Sequence, residues 1–419
     1  MSGLAFAQAP PPSHPLRFLA TALLWGVLAG AWLLAGGGAL LLSLHAPATI
    51  ALAHVFALGV LGNAMLGSLL QFLPVAAGSP VPLARGVPPL HIAFNLGVAL
   101  LLPAIAWHAP GCGLVAAPLL LGTLMLSAGA VLVAVARGNG ARTVRCGIGL
   151  AAAALLAAIG LGGALLAMRL GWLAPALPLT GLHAGFGLLG WVLGLLVAVG
   201  SVVMPMLQGT RPLPPAWLWG WLLLLGGVLL VVLVEAVGIA LPIPLARTLP
   251  AVPLLLFSAA VIAMQLRAPH RRGTLLRRFW ALGAVALAGA ALAMPLPGNG
   301  VLAGVLVLAV GFPALMLGML LEIAGFLAWM ELRRRMPRGT RVPGVGSLSG
   351  EPHKRRAWEL HALAALALVA ACLWPELARA AGALVLLAWL HAASALWRCW
   401  RSAMAWQPQV QAQAQAPAA

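Results

Sequence analysis

Apolar residues fill this chain in long runs, and the breaks between the runs collect Pro, Gly and Arg. In a bilayer only a helix of about 20 residues satisfies its own backbone, so each run of that length reads as a spanning helix. Twelve are predicted, at about 17–43, 48–73, 88–108, 112–136, 144–168, 176–207, 215–238, 246–266, 275–294, 299–332, 357–375 and 377–398. The runs are not independent. Met316-Leu317-Gly318-Met319-Leu320-Leu321-Glu322 in the tenth matches Met65-Leu66-Gly67-Ser68-Leu69-Leu70-Gln71 in the second without a gap. The sixth has histidine early and proline late, as the second does: His183 with Pro205, and His54 with Pro74. Gly187-x-Leu189-Gly190 echoes Gly59-x-Leu61-Gly62. In the tenth run, Val305 stands where the histidine would be. Similar helices four apart predict three pseudo-repeated four-helix units.

Charge adds an orientation. All of the 24 Lys and Arg except Arg169, Arg247 and Arg379 fall on one side of a twelve-span count. By the preference of basic loops for the cytoplasm, both termini are expected inside. The longest loop, 333–356, is predicted cytoplasmic and able to lie against anionic lipid.

Composition agrees and removes other classes. With 63% hydrophobic and 7% charged residues, the chain has more apolar surface than a soluble core can bury. The fold class is therefore an all-α polytopic membrane protein, one transmembrane domain over 1–402 with a disordered tail at 403–419. The net charge of +18 would suggest a nucleic acid partner in a soluble protein. Here its clustering between spans makes it an orientation signal, so the expected partner is the lipid bilayer and not nucleic acid. The four cysteines lie apart without metal-ligand spacing. The opening 15 residues are Pro-rich, without the apolar core of a cleaved signal peptide, and read as a short tail.

Candidate chemistry lies in the few polar residues inside spans. His54 and His183 fall at matching depth, in the outer half, and two such imidazoles can ligate one haem iron or half of a copper site. Either can equally serve as a hydrogen-bond donor between helices. Glu322, with Gln71 at the matching position, is the candidate proton or polar path; the alternative is a neutral acid or a partner for Arg333 to Arg335. His91 and His361 lie just inside helix starts, His91 within reach of Asn95. They are candidates of lower rank, with structural roles expected.

Twelve spans, inside termini, three arcs and these histidines resemble the catalytic subunit of haem-copper oxidases and its divergent relatives, including NnrS-like membrane proteins. The segments that carry the likeness are His54 to Pro74, His183 to Pro205, Gly318 to Trp329 and Glu359-Leu360-His361. The resemblance implies a bacterial inner-membrane protein holding haem b, or less readily copper, with partners in respiration or the nitric oxide response. His54 falls where the oxidases hold an axial ligand of the low-spin haem, and His183 on the helix that supplies the first copper histidine. The departures are large. The tenth span has no histidine, Trp217, Trp219 and Trp221 stand where a histidine pair is expected near the seventh, and there is no tyrosine. Oxygen reduction is therefore not expected. The remaining alternatives are a permease, or a scaffold that has lost its cofactor.

Overall fold

The computed structural model describes residues 10–82, 84–174, 179–239, 245–337 and 339–407. Among these, secondary structure is helical, with no strand. Eleven helices are long and apolar enough to cross a membrane: α1 Ser13–Leu41, α2 Pro47–Ala77, α3 Ala84–Ala106, α4 Pro110–Arg137, α5 Arg142–Arg169, α6 Leu179–Gln208, α7 Pro215–Ala236, α9 Thr274–Ala293, α10 Gly300–Arg335, α11 Glu351–Leu373 and α12 Pro375–Ala405. Where the eighth span is expected stands α8, Ala251–Leu266, apolar but shorter. The protein is thus a multi-pass membrane protein by the length and composition of its helices.

Helices α2, α6 and α10 form the centre. Of their most apolar windows 72%, 67% and 61% is buried, and the next highest share is 56%, in α9. A small cavity of about 40 Å³ sits among them, lined by Met65, Leu195, Val199, Met316 and Met319. Around this centre α4 packs on α5, α8 on α9, and α12 on α1, which closes the ring. The α1–α12 crossing is tight because small residues face each other. A methyl group at Gly30 would strike the backbone of Leu386, and one at Gly382 that of Leu34.

The three central helices share a local departure from α geometry. Each contains a π-helical segment: Val55–Gly62, Gly185–Leu193 and Leu306–Gly311. These follow the histidine position directly or within two residues, Val305 included. A π turn inserts an extra residue, rotates the side chains beyond it and often marks a functional position. A second π segment ends α2 at Leu73–Ala77 and α6 at Met204–Gln208, each with proline as its second residue. Proline has no N–H and displaces the carbonyl one turn back, so the turn widens. Both helices then stop at a glycine in left-handed conformation, Gly78 and Gly209. Pro313 behaves differently. It lies just after the π segment of α10, and the helix runs on to Arg335.

About half of the segment expected as the long loop 333–356 is helical. Helix α10 extends to Arg335, Val345–Leu348 forms one turn, and α11 begins at Glu351. Helix α12 likewise continues past the expected tail boundary to Ala405. The rest of the tail, 408–419, and the first nine residues lie outside the described residues.

Candidate functional site

His54 is the last residue before the first π segment of α2, and His183 stands two residues before that of α6. The structure brings the two together. Their ring centroids are 6.1 Å apart and their planes 19° from parallel. Each ring is half-buried and tethered by the same atom. His54 Nδ1 lies 2.8 Å from the carbonyl of Ile50 on its own helix, and His183 Nδ1 lies 3.0 Å from that of Ala158 on α5. A carbonyl can only accept, so Nδ1 carries the proton in each ring and Nε2 is left with its lone pair free. Neither Nε2 has a hydrogen-bond partner among the described residues. This is the tautomer and the outer-shell support that a metal-ligating histidine needs. Gly162 of α5 makes room for His183, since a methyl group there would stand 3.0 Å from Cε1 of that ring.

The charged pair lies toward the opposite ends of these central helices. Glu322 is bound by Lys354, the single lysine of the chain, whose Nζ is 2.8 Å from both carboxylate oxygens. Lys354 is 5% exposed, whereas the Glu322 side chain is half-buried, with 26% of its surface accessible. The arginines expected to reach Glu322 do not. Arg334 and Arg335 bind Glu331, and Arg333 donates to the carbonyl of Thr340. Glu331, only 4% exposed, is a second carboxylate inside α10 that the sequence analysis did not single out. Gln71 makes no hydrogen bond to Glu322, and its Nε2 is buried without a partner among the described residues.

His91 and His361 join neither pair. His361, 6% exposed, sits edge-on to Trp389 at 5.0 Å and to Phe279 at 6.3 Å, with Nδ1 unpartnered. His91 Nε2 is 3.0 Å from the Thr21 hydroxyl, and its ring meets Phe18 edge-on. Its expected contact with Asn95 exists through the backbone: the Asn95 amide donates to the carbonyl of His91. Asn95 also exchanges amide hydrogen bonds of 2.9 and 3.0 Å with Asn63 of α2 and accepts from Trp25 of α1 at 2.7 Å. Sequence reading missed this cluster, although Asn63, an amide in the middle of a spanning run, is the signal that could have found it. It also missed Gln208 and Gln265, joined at 2.8 Å beside Arg277 at the ends of α6, α8 and α9.

Among the described residues no group of three or more His, Cys, Asp or Glu gathers as a metal cluster would. Compared with protein-family models and with curated proteins, the chain matches none.

Proposed function

We propose that this is an integral membrane protein of twelve crossings whose His54 and His183 hold one haem b, or failing that one metal ion, between α2 and α6. The carrying observation is the imidazole pair, two rings 6.1 Å apart, each tied through Nδ1 to a carbonyl with Nε2 left free. Two imidazoles bonded to one metal ion at about 2 Å have centroids at most roughly 6 Å apart, so the observed separation lies at the upper end of what one ion can bridge. Bound there, haem would supply one-electron transfer. The chain's own contribution would be to fix both tautomers and to present the two Nε2 lone pairs of His54 and His183 to the group. Val305 at the position aligned with the histidines, and the lack of tyrosine, speak against oxygen reduction. An electron-transfer, carrier or sensing role linked to respiration or nitric oxide stress follows from that chemistry and from the resemblance.

Several features support the architecture of three four-helix units. The recurrent π segments lie in α2, α6 and α10, and α4–α5, α8–α9 and α12–α1 are equivalent neighbours. The same helix ends are also held alike: Gly140 between α4 and α5 donates to Ala77 of α2, and Arg272 between α8 and α9 donates to Gln208 of α6. Basic residues concentrated at one side support cytoplasmic termini in a bacterial inner membrane.

The test is spectroscopic. Protein purified from haem-sufficient cells and reduced with dithionite should show a haem absorption band, absent in His54→Ala and in His183→Ala. A colourless wild-type preparation without bound metal would remove the proposal.

A second reading, a permease or a scaffold without cofactor, draws on the pair of Glu322 and Lys354, which could couple a proton to a solute. Glu322→Gln should then change solute or proton flux, and unchanged flux speaks against it.

A further inference from the structure

The segment between α10 and α11 folds back against the bundle. Leu348 is buried with Ala328 and Leu332 of α10 and with Cys399 and Ala403 of α12. Gly325 leaves room for this: a methyl group there would come within 3.2 Å of Ser349 and 3.3 Å of Val345. The fold-back borders an open cavity of about 490 Å³ between α10, the connecting segment, the start of α11 and the last turns of α12. That volume is in the range of small-molecule sites.

The lining is basic and hydroxylic. Lys354, Arg398 and Arg401 face it with His353, Ser349 and Ser402, and no carboxylate is among the lining residues. Lys354 is held by Glu322, whereas neither Arg398 nor Arg401 has an ion-pair partner among the described residues. These two arginines stand one turn apart on one helix face, where like charges repel. Among the described residues no carboxylate pairs with either arginine; only the partial negative charge at the C-terminal end of α12 offsets the repulsion, and an anion in the cavity would offset it further. Trp397, 60% exposed near the end of α12, also lines the cavity, and indoles near the ends of spanning helices are common anchors at the membrane interface.

We propose that this cavity binds a phosphate group, with Arg398 and Arg401 as paired donors and Ser402 at its edge. Guanidinium forks match phosphate oxygens two at a time, and basic pockets between membrane helices take lipid headgroups. The phosphate can belong to an anionic phospholipid or to a soluble phosphate ester, and the test separates them.

Full-length protein in neutral detergent is examined by native mass spectrometry and thermal shift with phosphatidylglycerol, phosphatidylcholine or glycerol 3-phosphate. Phosphatidylglycerol should bind and protect, and Arg398→Gln/Arg401→Gln should weaken it about tenfold or more. The control, Arg271→Gln/Arg272→Gln, removes the same charge elsewhere and should bind as wild type. Arg398→Lys/Arg401→Lys keeps the charge and should lose affinity by less than the Gln pair, which guards against a folding defect. Protection by glycerol 3-phosphate with no effect of phosphatidylglycerol, again lost in the Gln pair, assigns the same site to a soluble ester. Binding of both ligands unchanged in the Gln pair, or weakened equally in the control, overturns the proposal.

Discussion

Two titratable pairs lie inside this bundle, and they are satisfied in opposite ways. Glu322 and Lys354 complete each other. Each supplies the charge the other lacks, and both carboxylate oxygens are engaged at 2.8 Å. His54 and His183 do not complete each other. They are chemically identical, both donate from Nδ1 to a carbonyl, and both keep a free acceptor at Nε2. The contrast falls along the internal likeness of the central helices. Helices α2 and α6 carry a histidine before the π segment, whereas α10 carries Val305 there and places its carboxylate nearer the other end. A self-completed pair reads as a fastening between α10 and α11. A pair with two unused lone pairs reads as a site for something else.

The largest expected effect breaks the fastening. Lys354→Met leaves the half-buried Glu322 without its partner, a loss between those of a surface pair and a fully buried one, about 2 kcal/mol. A marked drop in the thermal unfolding midpoint should result, and Glu322→Gln added to it should restore most of the loss. A single variant as stable as wild type would show that the pair is not a fastening. Next comes the support of the imidazoles. Gly162→Ala should push His183 off its position and weaken retention of the bound group about tenfold, the low end of outer-shell effects. Titrating the reduced absorption band against a competing haem acceptor checks this, and unchanged retention would separate His183 from ligation. Asn63→Ala removes the amide bridge from α2 to α3 and should cost about 1 kcal/mol, near the usual value for a hydrogen bond between membrane helices. The measurement is thermal stability with the haem band monitored in parallel; loss of the band would tie this cluster to the histidine site. Smallest is Gln71→Leu. It deletes a buried amide nitrogen without a partner, so stability should stay within about 0.5 kcal/mol of wild type or rise. A large loss would place Gln71 in a polar path with Glu322 after all.

Run lengths and apolarity sufficed to make this a helical membrane protein, because a backbone in lipid has few other solutions. The likenesses of α2 to α10 and of α2 to α6 singled these helices out in the sequence, but that they form the centre is seen only in their burial. His54 and His183 were legible because an imidazole in an apolar span is costly enough to stand out. Partner choice was not legible. Lys354 looked like one more charge in a basic loop, and only the fold-back of the segment before α11 carries it to Glu322 and leaves Arg333 to Arg335 for Glu331 and Thr340. The polar bridge of Asn63, Asn95 and Trp25 joins three helices, so no single run could reveal it. Sequence alone thus determined which residues must find partners, through the cost of leaving polar groups bare in lipid. Tertiary structure decided who the partners are, because the angle and rotation of each helix, reset by π turns at Val55, Gly185 and Leu306, fix which faces meet.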